Sequence, residues 1–259
     1  MKTRTKRVLL GLGVLLLLIV AVPVSIIISA FAGNTPIPDG MQVTPSARII
    51  KDGFVDVTMI DLGNGSVALV DAGNDPSAKA IVAELQRRGL APDAVSAILI
   101  THGHGDHTAG VKAFPRAEVY ALKAEVPLVE GIARPKGFVG KLMPLKPTGI
   151  RVAHPLKDGD TFILGDRHVT VFSTPGHTAG SAVYLVDQVL YFGDSAGAHK
   201  DGKLYPAVGA FSEDAEQNKA SLRALAERLR PNAAAVQSLV FAHTGPMTGL
   251  QPLLDFAAR

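Results

Sequence analysis

Thr101-His102-Gly103-His104-Gly105-Asp106-His107 puts four side chains able to bind a metal within six consecutive positions. Neutral imidazoles and a carboxylate are the ligands that a borderline divalent cation such as zinc takes. His102 and His104, two residues apart, point to the same side of an extended segment. Gly103 and Gly105 remove side-chain bulk and let the backbone fold around an ion. Residues 97–100 just before the run are apolar and read as a short buried strand, so the ligand loop leaves a strand end. A lone histidine is ordinarily a structural residue; three with an aspartate at this density read as a metal site.

On either side of this loop the chain falls into two halves with one plan. In the first, residues 54–60 and 66–71 flank Gly63-Asn64-Gly65, a hairpin signal. Asp75 stands where it would cap a helix, with Pro76 at the first helical position. Ala78, Ile81, Val82 and Leu85 fall on one apolar face, and Gly89 closes the helix. In the second half, residues 161–164 and 168–173 bracket Gly165-Asp166, and Pro175-Gly176-His177 follows. Strands are expected over 182–186 and 189–192, the latter running into Gly193-Asp194. Ser212 is expected to begin a helix that buries Leu222, Leu225, Ala226 and Leu229 and stops at Pro231. A strand over 236–241 leads to His243. Two such sheets face to face, with helices outside, predict an α/β fold in a four-layer αββα sandwich. Ligands drawn from several strand ends would then meet along one edge.

The composition, 47% hydrophobic, provides a core for one large domain over residues 46–259. With no cysteine, any metal is held by nitrogen and oxygen, which favours a hydrolytic centre over a thiolate-rich structural one. The net charge of +3 misleads. Lys2, Arg4, Lys6 and Arg7 precede an uncharged run over 8–32, leaving 22 basic against 23 acidic residues beyond it. That balance lacks the positive field needed to track nucleic acid. The run is long enough to cross a bilayer at about 1.5 Å per residue. Its basic flank predicts a cytoplasmic N-terminus and an exported body. It exceeds the apolar core of about 7–15 residues of a cleaved secretory signal. Residues 1–32 are therefore expected to be a transmembrane signal anchor, making a single-pass membrane protein with an extracytoplasmic domain. Ala30-Phe31-Ala32 offers the alternative of cleavage and secretion. Residues 33–45, with Pro36, Pro38 and Pro45, read as a linker.

The order His102-x-His104-x-Asp106-His107, His177 within Pro-Gly-His-Thr-Ala-Gly-Ser, Asp194 after a strand, and His243 resembles the metallo-β-lactamase fold superfamily over residues 45–250. Asp71, in Leu-Val-Asp-Ala-Gly, resembles that family's aspartate supporting the metal loop. The resemblance implies two zinc ions per chain, with iron or manganese left open. His102, His104 and His177 would ligate the first and Asp106, His107 and His243 the second, with Asp194 bridging. It further implies that a bridging hydroxide, formed from water with a pKa lowered to about 7, attacks the carbonyl of a small-molecule ester, lactone, thioester or amide. Asp106 would be the catalytic residue orienting it. With 16 residues after His243, the helical extension with which glyoxalase II-like thioesterases grip glutathione is not expected here.

Other chemistries compete. Gly193-Asp194-Ser195-Ala196-Gly197 fits the nucleophile elbow of serine hydrolases, and Ser195, Asp214 and His243 run in that fold's triad order. An elbow needs a helix straight after its serine, yet residues 198–202 read as a turn, and the histidine cluster would be idle. A non-catalytic binding module and a mononuclear iron dioxygenase are further alternatives on the same scaffold. Residues 131–153 carry Arg134, Lys136, Lys141, Lys146 and Arg151 without an acid, interleaved with Phe138, Val139, Leu142 and Met143. A solvated loop is the plain expectation there; a grip on an anionic substrate or on a membrane surface is the functional one.

Overall fold

Val55, Val57 and Met59 alternate with Asp56, Thr58 and Ile60 along one strand, and all six are buried. A strand buried on both faces must lie between two packed layers, and that requirement fixes the architecture. The computed structural model describes residue 21 and residues 31–136 and 145–259. Thr35–Arg259 forms one unit.

Its first sheet has seven strands in chain order: β1 (Gln42–Thr44), β2 (Ala47–Asp52), β3 (Val55–Asp61), β4 (Val67–Val70), β5 (Val95–Leu99), β6 (Glu118–Leu122) and β7 (His154–Leu156). Pairing is antiparallel from β1 to β4 and parallel from β4 to β7. The second sheet contains β8 (Thr161–Leu164), β9 (Arg167–Ser173), β10 (Ala182–Val186), β11 (Val189–Tyr191), β14 (Ser238–Val240) and β15 (Met247–Thr248), in the order 15-14-11-10-9-8. Between β11 and β14 the chain makes a separate hairpin, β12 (Ala196–Ala198) with β13 (Leu204–Pro206). The α-helices within Thr35–Arg259, among the described residues, are α1 (Lys79–Arg87), the single turns α2 (Gly105–Thr108) and α3 (Val126–Val129), then α4 (Ala215–Leu229) and α5 (Gln251–Ala257).

Three apolar layers separate four structural ones. Ala68, Val70, Leu99, Val171, Tyr184 and Tyr191 pack between the sheets. The alternate residues Val67, Leu69 and Ile98 pack outward on Ile81 and Leu85 of α1. On the other side Phe172, Leu190 and Leu239 meet Leu222 and Leu225 of α4 and Leu253 of α5. The αββα layering expected from the sequence is therefore present.

Several boundaries differ. The Asp75 carboxylate accepts from the Ser77 backbone and hydroxyl, a local turn that competes with helix. Ala78 then sits at φ +48°, and α1 starts only at Lys79. The second-half helix begins at Ala215 and not at Ser212, because Asp214 is the cap, accepting from Gln217 N–H. Residues 33–45 are not linker throughout: β1 pairs with β2, and Thr35 N–H donates to Ala198 O. The expected anchor lies almost entirely outside the described residues, among which no helix is long and apolar enough to cross a membrane. Lys141, Phe138, Val139, Leu142 and Met143 also lie outside them.

Candidate metal centre

In parallel sheets the loops after the strands' carboxyl ends gather on one edge. Here Asp71 follows β4, the His102–His107 run follows β5, His177 follows β9, Asp194 follows β11 and His243 follows β14. All seven expected ligands meet in three overlapping groups: His102 with His104 and His177, His102 with His107 and Asp194, and Asp106 with His107 and His243. Within each group the ligand atoms lie within 4.8 Å of one another.

Hydrogen bonding behind the imidazoles fixes what they present. Thr101 Oγ1 donates its one hydrogen to Asp71 Oδ2 at 2.7 Å, so toward His102 Nδ1, 3.2 Å away, it accepts. Ser212 Oγ donates to Val208 O at 2.9 Å and likewise accepts from His177 Nδ1 at 3.3 Å. Both rings, when neutral, therefore carry their proton on Nδ1 and a lone pair on Nε2. Those two Nε2 atoms are 3.1 Å apart, and His104 Nδ1 lies 3.0 and 3.1 Å from them. One N–H from His104 relieves only one of the two lone pairs; a cation satisfies all three nitrogens. His107 is held from behind by Asp71 Oδ2 at 2.8 Å, and His243 by the Phe54 carbonyl at 2.9 Å. Inside the cluster, His107 Nε2 and Asp194 Oδ1 are buried and 3.3 Å apart, too poorly aligned for a well-formed hydrogen bond. The donor set fits metal.

Charge divides the cluster. Burial, reinforced by neighbouring histidines, holds His102 well below the ordinary histidine value, and burial pushes His177 down to about 3. His104 is lowered by burial too. For His243 burial acts downward as well, but Asp194 and Asp106 outweigh it and raise the ring to about 10. His107 is raised in the same way by Asp194 and Asp71. Burial works against the Asp194 charge, yet His243 and His107 keep it well below the usual carboxylate range. One side thus offers neutral nitrogens, and the other stores protons between carboxylates.

Ser195 is not poised as a nucleophile. Its hydroxyl is buried and shares a 2.9 Å hydrogen bond with Thr174, and a strand, β12, follows it where an elbow needs a helix. Asp214 is spent on capping α4. Two contributors carry no sequence signal. Phe54, at the β2–β3 turn, is 58% exposed and stacks on His243 with ring centroids 5.7 Å apart. Glu125, between β6 and α3, is buried and bonded to both histidine loops.

The family model described as the metallo-beta-lactamase superfamily matches residues 50–243. A hydroxyacylglutathione hydrolase of Cupriavidus metallidurans is 34% identical over 157 residues, 56% of this chain and 50% of that protein. The chain thus spans about half the length of that relative. Metallo-beta-lactamase domain-containing protein 1 of Xenopus laevis is 28% identical over 202 residues, 72% of this chain and 78% of that one. Among solved structures, a subclass B3 metallo-beta-lactamase of Bradyrhizobium japonicum is similar in fold, with a TM-score of 0.62 at 21% identity, covering 88% of this chain and 93% of its own.

Proposed function

The chain belongs to the metallo-beta-lactamase superfamily and is a metallo-hydrolase of that fold, and from that premise we propose that it hydrolyses an ester, lactone, thioester or amide carbonyl of a small molecule at a site for two zinc ions. The observation that carries this reading is the pair of Nε2 lone pairs of His102 and His177, held 3.1 Å apart by hydrogen bonds from behind. His102, His104 and His177 would hold one ion; Asp106, His107 and His243 the other. Asp194 serves both sets, with Oδ2 3.5 Å from His177 Nε2 and 3.2 Å from His243 Nε2, and Oδ1 3.3 Å from His107 Nε2. Two such ions supply a water acidic enough to ionise near neutral pH and Lewis acidity toward the carbonyl oxygen.

The protein's own groups do the positioning. Asp106, more exposed than Asp194 and with Oδ2 3.4 Å from His243 Nε2, orients the attacking water by accepting its hydrogen bond. Burial acts to raise Asp106, but His243 and His107 outweigh it and hold the group below its ordinary value, which favours the ionised form, the stronger acceptor. The exposed Phe54 ring forms an apolar wall beside His243 for the substrate. An acyl thioester is the first substrate to try, because the 34% identical relative is a hydroxyacylglutathione hydrolase.

The full chain should carry about two zinc ions, as a two-metal hydrolase does. Chelation should abolish turnover of a lactone, thioester and lactam panel, and zinc should restore it. Unchanged turnover by chelated protein, together with its loss to a serine-directed phosphonate, would transfer the chemistry to Ser195. The uncharged run over 8–32 behind four basic residues supports an N-terminal anchor with the domain outside the cytoplasm. Protease digestion of sealed vesicles of known orientation, with N-terminal sequencing, separates anchor from cleaved signal.

A further inference from the structure

Glu125 is 1% exposed, although a buried carboxylate is costly unless fully hydrogen-bonded. Its two oxygens go to two different loops. Oε1 accepts from Gly103 N–H at 2.8 Å, between the ligands His102 and His104. Oε2 accepts from Gly180 N–H at 2.8 Å, in the loop that carries His177, and the Thr178 hydroxyl bonds to the carboxylate as well. Burial outweighs the pull of those three donors and leaves this carboxyl above its ordinary value, while both oxygens stay occupied as acceptors.

Both glycines are dictated by the same approach. A Cβ on Gly103 would lie 2.8 Å from Leu128 Cγ and from Val129 N of α3. One on Gly180 would collide with the backbone nitrogen and carboxylate of Glu125 itself. Neither glycine has a left-handed φ, so space and not backbone freedom selects them. The alternation His-Gly-His therefore records the seat of α3 under the ligand loop.

We propose that Glu125 is the positioning residue of the three-histidine site: it ties the His102–His104 loop to the His177 loop and so sets the spacing of their nitrogens. The inference rests on the two-metal reading above. Partners behind metal ligands typically change affinity about 10- to 100-fold when removed. Glu125→Gln keeps volume but turns an NH₂ toward one of the two N–H groups, so one loop loses its acceptor.

The test is a stepwise zinc and cobalt titration of the full chain against a chromophoric chelator, with no substrate present. Glu130→Gln is the control, since Glu130 also accepts a backbone N–H, from Val152 at 3.1 Å, but the structure gives it no bond to a ligand loop. Glu125→Gln should weaken the first equivalent about 10- to 100-fold and alter its cobalt absorption, while Glu130→Gln leaves both unchanged. If Glu125→Gln does not fold, Glu125→Asp, too short to reach both loops, is read in its place. Wild-type affinity and spectrum in the Glu125 variant overturn the proposal, as does equal weakening by Glu130→Gln. A wild-type chain that binds no metal overturns the two-metal reading instead.

Discussion

Asp71 shows how much one buried side chain decides. Its carboxylate accepts from Thr101 N–H at 2.8 Å, Thr101 Oγ1 at 2.7 Å and His107 Nδ1 at 2.8 Å, from a backbone at φ +59°. Asp71→Ala strands all three donors, and losing acceptors of buried groups costs about 1–3 kcal/mol each, partly recovered by relaxation. We expect a loss of about 3 kcal/mol in urea unfolding of chelated protein, with weaker binding at the Asp106, His107 and His243 set. Unchanged stability would mean that Thr101 and His107 find other partners. The histidines differ in protons as well. His177, down near 3, enters neutral at pH 7, whereas His243, up near 10, enters charged. A metal ligand must give up its proton, so the first zinc should release almost none and the second about one or more. Calorimetric titration in buffers of different ionisation enthalpy measures this. Proton release on the first equivalent would reverse the assignment of the two sites.

Among the elements, those that declare themselves in sequence are those whose cause is local. The β3–β4 hairpin is legible because Gly63, Asn64 and Gly65 all need positive φ, and the α4 face because Leu222, Leu225 and Leu229 recur at helical spacing. Expected ligands converge because each stands just past a strand end. What stays hidden is set by distant partners. The Glu125 position has no pattern, since its reason is the approach of two loops, one of them 55 residues away. Asp75 closes its own turn on Ser77 and still accepts from Lys79 N–H at the start of α1, at 3.3 Å, while the cap of the later helix, Asp214, sits two residues beyond the expected Ser212. Asp214→Ala should therefore cost about 1 kcal/mol, the usual value of an N-cap, whereas Ser212→Ala should shift metal affinity through His177. Thermal melts paired with zinc titrations separate the two. An Asp214 variant that altered metal affinity and left the melt unchanged would contradict the capping role.

The site's charges should also govern how the entire domain responds to pH. An unfolded histidine titrates near about 6.5. His177, near 3 when folded, is bound neutral, so unfolded chain takes up more protons between the two values and stability rises with pH through that window. His243 has the opposite sign. Its folded value near 10 contributes stability that is fully present below about 6.5 and is lost as pH climbs toward 10. For these two groups the metal-free domain should be most stable near pH 6.5, with limbs of at most about 1.4 kcal/mol per pH unit for each proton. Cations change the shape, because a ligated His243 no longer carries its proton. Ligand binding also stabilises the fold by about 2.7 kcal/mol at a hundredfold excess over Kd. Zinc-loaded protein should thus hold its melting temperature to high pH and fail on the acid side, where protons compete for all the histidines. Melting curves from pH 4 to 10, with zinc and with chelator, should cross-compare as a plateau against a peak. Superimposable profiles would mean that no cation sits on these histidines, and the two-metal site would fall with them.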